Sequence, residues 1–179
     1  MIVDKKVLVR LYLLFFPIAY FSYLFHEFGH WIVGEILGND MVYHLNYVWP
    51  KAGHYINESH NLYVSIGGPA FTVLLALFSL LILEKYSTIY AYPALFFQFV
   101  CRFFSLVFGG FSNQDEARIS SIMGLGTYTV AIIVLTILLL IVIRASYKLK
   151  IELKQNGYFF TISILSELMV IATYKITGL

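Results

Sequence analysis

Five stretches of the chain are apolar enough and long enough to leave water. The first begins near Val7 and stays apolar to Phe25, with Arg10 as its only charge, and helical periodicity carries it to about Leu37. At 1.5 Å per residue that is ~46 Å, against a hydrocarbon core of ~30 Å. Such a helix must tilt, bend at Pro17 or emerge into water. Residues 62–83, 89–108 and 125–143 form three more runs of spanning length, and 158–176 form a fifth, weakened by Glu167 inside it. The pattern predicts an all-α polytopic membrane protein with about five transmembrane helices. The basic start, Lys5 to Arg10, invites comparison with a signal peptide, but the apolar part is too long and no small-residue cleavage site follows. The first run is therefore expected to be a retained helix.

The connections are short. Residues 84–87 form a tight turn, 112–124 a polar loop, and 144–157 a basic segment carrying Arg144, Lys148, Lys150 and Lys154. Without repeats, low-complexity tracts or linkers, the chain reads as a single membrane domain over 1–179. The longest loop, 39–61, differs from the rest. Met41, Tyr43, Leu45, Tyr47 and Trp49 alternate with Val42, His44, Asn46 and Val48. That period of two predicts a strand, a turn at Pro50 to Gly53, and a return over 54–60 as a short β-hairpin. An irregular interfacial loop with its aromatics at headgroup depth is the alternative.

Composition narrows the class. Hydrophobic residues make up 60% of the chain and charged residues 12%, where soluble domains carry ~25% charge. So little charge cannot coat a water-facing surface, which excludes a soluble enzyme and a disordered chain. A net charge of +2 is too small for a nucleic-acid partner. The expected surroundings are a lipid bilayer. The lone cysteine, Cys101, excludes an internal disulfide and a multi-cysteine metal site.

The scarce polar residues then carry the chemistry. The first run ends in His26-Glu27-Phe28-Gly29-His30. Residues i and i+4 share a helix face, so both imidazoles can bind one zinc ion. Glu27 lies about 100° round the helix from His26, placed to reach a water on the metal. That is the physical content of HExxH. With five His and seven Glu, a chance match is expected about once in ~200 such chains.

Two histidines and a water leave a tetrahedral zinc one protein ligand short. His44, His54, His60, Asp115, Glu116 and Glu167 are the candidates. Gly109 and Gly110 break the third apolar run near its end, and Asp115 follows five residues later, where a broken helix can face a polar cavity. Asp115 is the first choice. The other readings make Asp115 and Glu116 a solvated loop or helix cap, or hand the third place to His54 or His60. Arg102, one turn after Gln98, is expected to pair with Asp115, Glu116 or Glu167 as a structural ion pair or to snorkel.

Beyond the zinc pattern, the chain resembles the site-2 proteases, zinc metalloproteases that cut within the membrane. His26-Glu27-x-Gly29-His30-x-x-x-Gly34-x-x-x-Gly38 resembles the family's HExGHxxxAxxxG pattern, with Gly34 where Ala is usual. Ser65-Ile66-Gly67-Gly68-Pro69 resembles the Gly-Pro signature of the second core helix, although Thr72 stands where the family commonly has Asn. Asn113-Gln114-Asp115 resembles the Asn-Pro-x-Asp-Gly segment, without the Pro and with Glu116 in place of Gly. The resemblance covers residues 7–125, a protease-like core of three helices. Residues 126–179 add further helices outside it.

The resemblance implies a zinc metalloendopeptidase with one zinc per chain. His26, His30 and Asp115 would hold the metal, Glu27 would be the base, and the substrate would be a membrane protein. It also implies a β-structured loop that holds extended substrate, giving Tyr43, Leu45 and Tyr47 as candidate substrate-binding residues. Asn113 is a candidate oxyanion donor. The expected location is a prokaryotic cell membrane. Counting basic residues places the N-terminus inside and the end of the first helix outside, whereas the family carries its zinc toward the cytosolic side. The competing classes are a CAAX-processing type protease, with Glu116 or Glu167 as third ligand, and a non-catalytic zinc scaffold or transporter. Neither the oligomeric state nor the identity of the substrate is fixed by the sequence.

Overall fold

The computed structural model of the protein describes residues 5–108 and 114–178. Helix α1 (Lys5–Ile36) leads into a two-stranded hairpin, β1 (Met41–Tyr43) and β2 (Val48–Pro50). Helix α2 (Ser59–Tyr86), a 3-10 turn (Ile89–Ala91) and α3 (Tyr92–Phe108) follow, then α4 (Asp115–Ile122), α5 (Thr129–Leu149) and α6 (Leu153–Thr177). Five of these helices are long and apolar enough to cross a membrane. The protein is thus the expected polytopic helical membrane protein with a hairpin after its first helix. Gly109, Gly110 and Asn113 lie outside the described residues.

α1 stays helical through Pro17 for 32 residues. Its Leu11, Phe15 and Ala19 are buried, spaced four apart along one stripe. They meet the aromatic core of α3 and α6, where Phe15 stacks on Phe159 with centroids 5.8 Å apart and Tyr92 lies 5.4 Å from the same ring. The outer faces carry Leu13, Phe21, Leu74, Phe78 and Leu140 well exposed. Such an apolar surface suits lipid and not water.

The helices alternate in direction. At one end Arg144 of α5 pairs with Glu84 of α2 at 2.8 Å, and the Tyr92 hydroxyl meets Ser146 and Asn156 at 2.7 and 2.6 Å. The basic segment between α5 and α6 therefore lies at the end where α2 stops and α3 begins. The hairpin and α4 lie at the other.

Three local expectations change. The hairpin exists, but its register pairs Met41 with Pro50 and Val42 with Trp49. The turn thus falls at residues 44–47, closed by the His44 N–H donating to the Tyr47 carbonyl at 3.0 Å, and 54–60 form no return strand. Folding the alternation back on itself puts Met41 inside and leaves Tyr47 and Trp49 exposed. Within the supposed polar loop, residues 115–122 are helical. Finally, α5 starts four residues later than the apolar run and α6 five residues earlier (129 against 125, 153 against 158), the latter because Glu152 and Gln155 form a reciprocal capping box.

Candidate metal centre

The site is built where α1 and α2 come closest. A Cβ on Gly29 would lie 2.8 Å from the Gly67 carbonyl carbon, and a Cβ on Gly67 would lie 2.8 Å from that of Gly29. Only two glycines permit this approach. The neighbouring Gly68 leaves room for the imidazoles, since a Cβ there would stand 2.6 Å from His26 Nε2. The Gly-Gly-Pro segment thus has a steric reason at this place.

His26 and His30 are both buried. Their Nε2 atoms lie 3.2 Å apart and face one oxygen of Asp115, Oδ2, at 3.0 and 3.1 Å. Ligands at about 2.0–2.1 Å from a tetrahedral zinc stand ~3.3 Å from one another, so the three donors are spaced within a few tenths of an ångström of a tetrahedral face. The far ring nitrogens are tied. His30 Nδ1–H donates to the Val64 carbonyl at 2.6 Å, which leaves the Nε2 lone pair turned to the centre. The Gly68 N–H also lies 3.3 Å from that Nδ1, but the much shorter contact with an oxygen that can only accept fixes the proton on Nδ1. Thr72 Oγ1 sits 2.9 Å from His26 Nδ1. At the position where the family resemblance leads one to expect Asn, this chain orients a histidine with a hydroxyl.

Asp115 opens α4, and α4 is held in two ways. Arg118, one turn on, places Nη2 3.2 Å from the second Asp115 oxygen and Nη1 3.4 Å from Ser65 of α2. Glu116 points the other way, to Arg102 of α3 at 3.5 Å; Glu116 is buried and Arg102 largely so. Burial alone would raise the Asp115 carboxyl, but the two imidazoles outweigh it and hold it well below the usual carboxylate range.

Among the described residues, His26, His30 and Asp115 form the one group of three or more such side chains able to hold a metal ion. The other proposed third ligands are placed elsewhere. His44 stacks on Tyr47, His60 meets Asn39 at 3.1 Å, and His54 lines an outer groove. Glu116 pairs with Arg102, and Glu167 accepts the Tyr23 hydroxyl.

The three donors and the buried Glu27 line one cavity of about 300 Å³. Tyr47, Val48, Tyr55 and Arg118 line both this cavity and the outer groove of about 1170 Å³ beside the hairpin, and so mark where the two adjoin. Of the expected substrate-binding residues, Tyr47 is at this boundary. Tyr43 instead donates its hydroxyl to the Leu24 carbonyl, and Leu45 packs on the core. Both fasten the hairpin to the bundle. Sequence reasoning passed over Arg118, although its i+3 spacing from Asp115 was a usable signal. It also gave α6 no role beyond packing or substrate access, yet Glu167, Ile171 and Tyr174 of α6 line the cavity. No protein-family model matches the chain, and no curated protein and no solved structure matches it either.

Proposed function

We propose that this protein is a zinc-dependent endopeptidase, similar to the site-2 proteases, that hydrolyses peptide bonds of membrane-embedded or membrane-proximal substrates. The observation that carries the reading is the convergence of His26, His30 and Asp115 donors in a buried cavity that also holds Glu27. The residues fit zinc by donor type, by spacing and by the tied second nitrogens of both rings. A zinc ion so held supplies Lewis acidity toward a scissile carbonyl and brings the pKa of a bound water toward ~7.

The rest is work for the chain. Glu27 takes the proton of the attacking water and returns it to the leaving amine. Thr72 and the Val64 carbonyl keep the imidazoles oriented, and Arg118 keeps Asp115 from turning away. Tyr47, Val48 and Tyr55 lie where the cavity adjoins the outer groove. A spanning substrate helix hides its carbonyls in its own hydrogen bonds and must unwind before attack. The hairpin offers a strand edge on which the freed backbone groups can pair. A prokaryotic cell membrane is the location in keeping with this reading.

The CAAX-type alternative needs a glutamate as third ligand, and both candidates are engaged elsewhere. The test is the purified, zinc-loaded protein incubated with synthetic single-span peptides and read by mass spectrometry. Wild type should cut, while Glu27→Gln should keep its zinc and lose cleavage by at least ~100-fold, the lower range for a lost general base. Cleavage undiminished in Glu27→Gln, or no cleavage by zinc-loaded wild type, would overturn the proposal.

A further inference from the structure

Away from the metal donors, the wall of the cavity contains a carboxylate for which the reaction has no use. Glu167 of α6 is 1% exposed, within a membrane-spanning helix. A charge at that depth is costly and is usually retained for a purpose. Its Oε1 accepts the Tyr23 hydroxyl at 2.6 Å. Its Oε2 is fully buried and has no hydrogen-bond partner among the described residues. The nearest cation is already engaged. Arg102 sits 3.5 Å from Glu116, a pairing in which the two charges cancel. Its hydrogen-bonded route to Glu167 runs through sulfur, with 3.6 Å from Nη2 to Cys101 Sγ and 3.7 Å from Sγ to Glu167 Oε1. One acceptor oxygen is therefore left without a partner on this side of the cavity.

We propose that the α6 side of the cavity is a pocket for a cationic side chain, lysine or arginine, with the Glu167 carboxylate as its counter-charge and Tyr23 as the group that positions it. The lining matches such a guest. Ile171, Phe104 and Tyr174 give apolar and aromatic wall to an aliphatic stem, and the carboxylate waits at the polar end. Because the same cavity holds the metal donors, a side chain seated there belongs to a residue close to the bond being cut. That last step rests on the peptidase reading; the pocket itself does not.

The first test is thermal unfolding of the full chain in detergent with N-acetyl-lysine amide or N-acetyl-norleucine amide, two probes that differ only in the ammonium group. The lysine probe should raise the melting temperature of wild type and the norleucine probe should not. The shift should vanish in Glu167→Gln, which keeps the size of the side chain and an acceptor for Tyr23. It should be reduced in Glu167→Asp, which keeps the charge and offers a second variant if the first folds poorly. Equal shifts in wild type and Glu167→Gln, or no shift in wild type, would overturn the pocket.

The second test uses single-span peptides with lysine, norleucine or glutamate stepped through the segment. Lysine should speed cleavage by at least ~10-fold over norleucine at one position, the lower range for leaving a buried acceptor unpaired, and the preference should collapse in Glu167→Gln. Equal cleavage of lysine and norleucine peptides would overturn the pocket as a determinant of substrate choice. A persisting lysine-specific shift with no cleavage of any peptide would support the pocket and sink the peptidase reading.

Discussion

Asp115 divides its two carboxylate oxygens between the histidines and Arg118. Oδ2 lies 3.0 and 3.1 Å from the His26 and His30 nitrogens, while Oδ1 lies 3.2 Å from Arg118 Nη2. A carboxylate held from behind by a guanidinium cannot rotate freely, and the fork of Arg118 also reaches Ser65 of α2 at 3.4 Å. Groups that hold a metal ligand from behind typically contribute 10–100-fold to affinity. Arg118→Gln should therefore weaken zinc binding by roughly 10–100-fold. Arg118→Lys, which keeps the charge without the fork, should fall between. Competition titration against a chromophoric chelator measures both, and an unchanged affinity in Arg118→Gln would remove the residue from the centre.

The space at Gly68 is the next requirement. An alanine methyl there would sit 2.6 Å from both Nε2 and Cε1 of His26. The rings cannot both yield, because His30 is tied to Val64 and His26 to Thr72. Gly68→Ala should thus abolish stoichiometric zinc while the helices remain folded, at a cost of about 1–3 kcal/mol for overpacking. Elemental analysis beside circular dichroism separates the two effects. Retained zinc would mean that the rings can move further than the packing suggests.

The buried pair of Arg102 and Glu116 anchors the start of α4 to α3. Removing one partner of such a pair leaves an uncompensated buried charge, which costs about 3–5 kcal/mol. Arg102→Met should be strongly destabilising. The double variant Arg102→Met with Glu116→Gln should recover most of the loss, since neither charge then remains. Thermal unfolding of wild type, Arg102→Met, Glu116→Gln and the double variant forms a double-mutant cycle. An additive result would show that the two side chains do not act as a pair.

Much of this was readable in the chain because the governing patterns are local. Apolar runs of spanning length gave the five long helices, and the i, i+4 spacing of His26 and His30 put the two imidazoles side by side. Asp115 was within reach because it follows a pair of glycines at the end of an apolar run. The failures share a cause. The hairpin register depends on a turn at residues 44–47 that carries neither Gly nor Pro, so alternation alone ran the strand straight through it. Thr72 supports His26 from 46 residues away in sequence, and α6 closes on the cavity from beyond the region of resemblance. Such pairings arise from tertiary packing, and no period or short motif encodes them.

The placement of charge makes a final prediction, about sidedness. The end of the bundle opposite the candidate metal site gathers Arg10, Lys85, Arg144, Lys148, Lys150 and Lys154, while Lys51, Arg118 and Lys175 lie at the other end. Tyr12 of α1 meets Phe159 of α6 at 5.8 Å between centroids, which fixes the start of α1 at the basic end as well. Basic residues flanking short connections favour the cytoplasmic side. The metal centre and its outer groove should then face away from the cytoplasm, opposite to what resemblance to the site-2 proteases implies. Cys101 is buried, so a single introduced cysteine can report position. Lys51 and Lys148 are both exposed at opposite ends. A membrane-impermeant maleimide should label Lys51→Cys in intact cells and Lys148→Cys only after permeabilisation. The reverse pattern would place the metal on the cytosolic side and make this chain an exception to the charge rule.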